Sequence, residues 1–231
     1  MIWPFSRPPL PALDSSASVR RDALRHQKID LKQPLADLRW VVVDVETGGL
    51  DAERDPLLSI GAVAIEQGRI VFAPSLEIGL RQVQSTEASN ILIHGISGSE
   101  QRAGQTPHAA LLDWLEFAKG APRVAFHAAF DQTVLQREVR AQLGLPSKAP
   151  WFDAAVVAPL LFPAAAPHCR HLDDWLTHFG IAVYARHGAL ADAYATAELW
   201  LILLQAAQRE NIASAQQLRR LLRARRWLSA N

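Results

Sequence analysis

One segment constrains this chain more than any other: Trp40-Val41-Val42-Val43-Asp44-Val45-Glu46-Thr47-Gly48-Gly49-Leu50. From Trp40 to Val45 it is apolar and largely β-branched with no helical period. It therefore reads as a strand buried on both faces. Residues two apart on a strand share a face, so Asp44 and Glu46 stand side by side at its end. Two ionised carboxylates at the end of a hydrophobic strand repel each other and are poorly solvated. A hard divalent cation resolves both problems, because Mg²⁺ and Mn²⁺ prefer oxygen ligands. The glycines that follow let the backbone approach a ligand closely. Taken singly, an Asp-x-Glu pair also fits a solvated strand end with an ordinary turn.

Composition sets the frame around that strand. The chain has 231 residues, which at about 100–200 residues per domain means one domain with an appendage. Hydrophobic residues make up 49% and charged residues 20%, enough for a core and too apolar for global disorder. A single cysteine, Cys169, excludes an internal disulfide and points to a reducing compartment. Arg7 and four early prolines interrupt any signal-peptide core. The longest uncharged apolar run, Ala154–Pro167, is too short and Pro-broken to span a bilayer. The expectation is a cytoplasmic protein without a membrane segment.

The pattern along the chain predicts an α/β architecture. Residues 1–15 are Pro-rich and aperiodic, a surface extension, and 16–30 have helical composition with Ser16 as cap. Leu57–Ile65 and Arg69–Ile78 read as further strands, joined by a hairpin at Gln67-Gly68. Helices are expected from Pro107 to about Lys119, over Phe130–Leu143, Phe152–Leu161, His171–Phe179, Leu190–Gln208 and 213–228. Arg123–Phe126 is a short strand between them. There is no internal repeat. The domain division predicted is an extension over 1–35, a core domain over 36–208 and a basic C-terminal helix over 209–231.

Two further places carry acids. Phe126-His127-Ala128-Ala129-Phe130-Asp131 joins a strand to a helix, and Asp131 falls in the first helical turn, where the macrodipole favours a carboxylate. His187-Gly188-Ala189-Leu190-Ala191-Asp192 opens the long Ala-rich helix. A histidine near neutral pKa is the usual general base. His168-Cys169-Arg170-His171 lacks the partner pair that a structural zinc site needs, and reads as a loop.

In order, the Asp-x-Glu strand, the Phe-Asp junction and the His-x4-Asp helix resemble the DEDD exonuclease superfamily in its His-containing, DnaQ-like branch. Ser59–Val63, Ile93–Ser97 and Phe152-Asp153 resemble the segments between its motifs. The resemblance covers roughly residues 39–205. It implies an RNase H-like fold: a mixed five-stranded sheet flanked by helices. It implies that Asp44, Glu46, Asp131 and Asp192 hold two Mg²⁺ or Mn²⁺ ions, with His187 taking the proton of the attacking water in a two-metal displacement. It further implies a 3′→5′ exonuclease releasing nucleoside 5′-monophosphates from single-stranded ends. Thr47 and Gly48 would approach the terminal nucleotide and Leu50 would pack on its base, with His127 beside them. Phe130 divides between a stacking role and the core.

The chain departs from the family at Gly48, where a threonine is common and the extra glycine would loosen the loop. It departs again at Phe126-His127, where His-Asn is common. The motifs do not separate DNA from RNA; DNA is the first expectation and RNA trimming the second. A DNA polymerase partner and a homodimer are both compatible with the resemblance. The 39 residues after Asp192 read as nearly all helical, so no obvious separate polymerase-tethering domain is expected among them. A noncatalytic nucleic-acid or polymerase-binding module on the same fold is the competing class. An aspartate-nucleophile phosphatase is a third, but it calls for an Asp-x-Asp pair rather than Asp44 and Glu46.

Charge is distributed unevenly. Formal net charge is +1. Residues 209–231 hold six arginines against Glu210, a balance of +5, and residues 1–40 hold seven cations against four aspartates, +3. The stretch between carries −7. The basic ends suit either a solvated surface or a track for phosphates.

Overall fold

A computed structural model describes residues 10–25, 28–82, 96–146, 148–182 and 188–229, with side chains as far as 225. Five strands form one sheet: β1 (Trp40–Thr47), β2 (Leu57–Glu66), β3 (Arg69–Gly79), β4 (Arg123–Ala125) and β5 (Trp151–Asp153). Their order is β3-β2-β1-β4-β5. β1 and β2 pair antiparallel, as do β2 and β3, whereas β4 runs parallel to β1 and β5 parallel to β4. The β2–β3 turn falls at Gln67-Gly68, both at positive φ, 51° and 70°. Two left-handed residues match the twist of a two-residue hairpin.

The described helices are α1 (Ser15–Ala23), α2 (Gly98–Ala103), α3 (Pro107–Phe117), α4 (Ala129–Leu143), α5 (Ala154–Leu161), α6 (Leu172–Phe179), α7 (Ala189–Arg209) and α8 (Ala215–Ser229). They cover both faces of the sheet, and alternation along β1 divides the two layers. Val41, Val43 and Val45 enter a core with Ile60, Ile78, Leu111, Trp114 and Val134, on the side of α3 and α4. Trp40 and Val42 enter the opposite core with Val63, Phe152, Trp175 and Trp200, on the side of α5, α6 and α7. Trp40 is its hub. Its ring meets Phe152 edge-on at 5.1 Å and Trp200 at 5.2 Å, and its Nε1–H donates to the Leu35 carbonyl at 3.1 Å. Leu35, Ala215 and Leu218 join this core, and Leu35 N–H donates to the Ala213 carbonyl at 3.0 Å. The start of α8 is thereby tied to the approach to β1.

Several expectations need correction. The first helix is capped by Asp14, whose side chain accepts from Ala17 N–H at 2.7 Å, so Ser16 is not its cap; the helix ends at Ala23 rather than near 30. Trp151–Asp153 is a strand, not the start of a helix. Three residues are too few to show a period, and they are held by parallel pairing to Arg123–Ala125. α2 is an addition to the expected helices, and its local signal is the reciprocal capping box of Ser97 and Glu100.

Candidate active site

The two faces of β1 explain where the acids go. Asp44 and Glu46 continue the even-numbered face that begins with Trp40 and Val42, and so point toward the α7 side. Their register partners on β2 are Gly61 and Ser59. The first turn of α7 carries Asp192, whose N–H donates to the Gly188 carbonyl at 2.9 Å. One oxygen from each of Asp44, Glu46 and Asp192 lies within 4.8 Å of the other two, and all three residues are half-buried. Such a group has the donor chemistry to hold a divalent cation.

Gly61 makes this convergence sterically feasible. A Cβ built on it would overlap the carbonyl of Ala189 and the nitrogen of Leu190. Only a residue without a side chain lets the start of α7 lie directly on β2 beside Asp44. Gly61 lies within the Ser59–Val63 segment, and its role follows from α7 packing on β2, not from any local pattern.

Asp131 reaches the same strand end from the other layer. It is 4% exposed at the start of α4, and its Oδ1 accepts from Val45 N–H at 3.2 Å. It is not one of the three residues within 4.8 Å. Burial pushes its carboxyl up to about 8, reinforced by the negative charges of Asp153 and Glu46 and opposed by hydrogen bonds from the backbone N–H groups of Asp131 and Val45. A carboxylate crowded by acids and stripped of water is one that a cation would return to its ionised form.

Asp153, at the end of β5, organises the neighbouring loop. Its Oδ1 accepts from His127 N–H and from Ala155 N–H, each at 3.0 Å. His127 is exposed and takes φ 60°, a conformation uncommon outside glycine and found at positions the surroundings over-determine. Phe130 is half-buried against the α3–α4 core. Leu50 is 94% exposed beyond the end of β1. The loop from 47 to 56 is tied down rather than loosened by its glycines. Thr47 Oγ1 donates to the Gly49 carbonyl at 2.6 Å, Gly48 N–H to Pro56 O at 2.9 Å, and Asp51 N–H to Asp55 Oδ2 at 2.7 Å. Arg137 of α4 clamps it from below, donating to the carbonyls of Ala52 and Asp55. No local motif marked Arg137, because its partners lie more than 80 residues away in sequence. His187 and His94 lie outside the described residues.

The sheet order and these acids define an α/β protein with a cation-capable acidic centre at the end of its middle strand. The chain belongs to the exonuclease family: the RNase T family model, described as Exonuclease, matches residues 41–200. A DNA polymerase III subunit epsilon-like protein of Rhodobacter capsulatus is 35% identical over 179 residues, covering 75% of this chain and 25% of the relative. The chain thus spans about a quarter of that relative's length. Among solved structures, the zinc-bound form of the E. coli exonuclease I complex with single-stranded DNA superposes with a TM-score of 0.64 at 17% identity, over 76% of this chain and 42% of that one. Exonuclease X in complex with 5′-overhanging duplex DNA gives 0.59 at 21%, over 77% and 96%. These likenesses show the fold, a mixed five-stranded sheet of the RNase H-like kind. Among the described residues no helix is long and apolar enough to cross a membrane.

Proposed function

We propose that the chain is a metal-dependent 3′→5′ exonuclease that releases nucleoside 5′-monophosphates from single-stranded ends, with DNA as its first substrate. The observation that carries this reading is the meeting of Asp44, Glu46 and Asp192 within 4.8 Å, inside the segment matched by the exonuclease family. Asp44, Glu46 and Asp192, with Asp131 behind them, would hold two Mg²⁺ or Mn²⁺ ions. Divalent cations bound there would supply charge stabilisation for in-line displacement at phosphorus. His187 would accept the proton of the attacking water at a ring nitrogen. The loop at Thr47–Leu50 would seat the terminal nucleotide, with Leu50 against its base and His127 on the opposite rim. Phe130 belongs with the core in this reading. The setting would be cytoplasmic, and the polymerase III relative makes a polymerase the partner to test first.

The decisive assay is digestion of end-labelled DNA and RNA oligonucleotides, single- and double-stranded, with Mg²⁺, Mn²⁺ or EDTA. Stepwise trimming from the 3′ end, abolished by EDTA and by His187→Ala, is expected. Undiminished trimming in both would sink the assignment. Tight binding with no hydrolysis in any metal would leave a noncatalytic binding module in its place.

A further inference from the structure

Two clefts, of about 300 and 280 Å³, run along the β5 edge of the sheet. They share Lys148, Ala149, Pro150 and Arg219 and so form one groove. One end is lined by Ala128 and Ala129, just after His127, and by Asp153, which holds the His127 N–H. This end therefore abuts the candidate active site. The other end reaches Leu24 and Arg25 beyond α1.

The groove is basic. Lys148, Arg219 and Arg223 line it, and none of the three makes an ion pair among the described residues. Arg219 and Arg223 are four apart on α8, so both face one side of that helix, about one turn from each other. Arg123 lies deeper, its guanidinium over the rings of Trp114 and Trp151 at 5.2 and 5.7 Å. Arg25 is partly neutralised by Asp22 at 3.0 Å. Asp153 is the one acid along the lining of either cleft, and it sits at the active-site end. Arg219 and Arg223 lie outside the segment 41–200 that the family shares.

We propose that this groove is a track for the phosphodiester backbone of the substrate strand, carrying the nucleotides 5′ to the end being cleaved. It rests on the exonuclease reading for its direction, but not for its affinity. Three cations without an ion pair among the described residues, Lys148, Arg219 and Arg223, line the groove and supply the charge that tracks the phosphates of a single strand. The C-terminal helix thereby becomes part of the substrate platform, and the +5 of the tail acquires a place to act.

The test compares wild type with Lys148→Ala/Arg219→Ala/Arg223→Ala. Anisotropy of fluorescein-labelled oligothymidylate and oligouridylate, about 20 nucleotides long, is followed in EDTA against salt. Loss of three phosphate contacts is expected to raise Kd about tenfold or more and to lower the log–log salt slope by about 2. In Mg²⁺, KM for the long oligonucleotide should rise at unchanged kcat, while hydrolysis of the p-nitrophenyl ester of thymidine 5′-monophosphate, too small to reach the groove, stays at the wild-type rate. The variant Arg219→Lys/Arg223→Lys keeps the charge and should bind as wild type does. Unchanged affinity in the triple variant, or an equal loss on the small ester, overturns the proposal. Wild type that binds through these residues but hydrolyses nothing leaves the groove standing and removes the exonuclease reading. The two oligonucleotides separate a DNA track from an RNA track.

Discussion

The two ends of β1 are built by the same alternation and do opposite work. Its first residues, Trp40 to Val43, are fully buried between two layers of helices. Its last, Asp44 to Thr47, keep the period but replace large apolar groups with carboxylates on one face. The first end is stabilised by removing surface from water; the second gathers like charges, which costs stability and which a divalent cation would offset. Both ends belong to one strand, and its pairing with β2 and β4 is what carries the acids of the second end to their place. A site of this kind is a core strand whose final residues have been exchanged for carboxylates.

That contrast is open to direct test, and the largest effect is expected at the acidic end. Asp192→Asn should lower kcat by about 10²–10³-fold or more, the size seen when one preorganised electrostatic group is removed, with a urea midpoint in EDTA no lower than wild type. A variant that unfolds more easily without metal would break the distinction between the two ends. At the apolar end, Trp40→Ala should cost about 3–5 kcal/mol of stability by urea denaturation, while the protein that remains folded keeps its kcat within a few-fold. Between them stands Gly61→Ala. Forcing α7 away from β2 should reduce kcat/KM by about 10²-fold, the cost of roughly an ångström of misplacement, with a smaller loss of stability, about 1–3 kcal/mol.

Asp131 adds a pH signature to the acidic end. Its carboxyl is raised from 3.8 to about 8 in the fold, so the unfolded chain releases this proton first as pH rises. The contribution to stability is full below about pH 4 and is lost as pH climbs through about 8. In EDTA the urea midpoint should therefore fall between pH 5 and pH 8, to the extent Asp131 governs it, and Asp131→Asn should flatten that slope. Addition of Mg²⁺ or Mn²⁺ to wild type at pH 8 should recover the loss. The smallest effect belongs to the periphery: Asp14→Ala removes the cap of α1 and should cost about 1 kcal/mol by thermal unfolding, with nuclease activity unchanged.

Much of the fold was readable because its signals are local. β1, β2 and β3, the Gln67-Gly68 hairpin and the long helix α7 follow from apolar period and turn chemistry over short stretches. What escaped was short or held from outside. Trp151–Asp153 has three residues and exists as a strand because Arg123–Ala125 lies beside it. The cap of α1 went to Asp14 rather than Ser16, a one-turn competition between two good caps. The roles of Arg137 and Asp153 depend on partners brought from elsewhere in the chain.

The sequence alone determined that Asp44 and Glu46 share a face, because the strand period is two and acts between neighbours. It also carried the order of acidic motifs by which the family is recognisable. Only the tertiary structure decided that Asp192 meets that pair while Asp131 stays buried against Val45. That outcome depends on which layer each helix joins and on Gly61 admitting the backbone of α7. Local periodicity fixes the direction of a side chain from its own strand; it holds no information about which distant helix will pack above it.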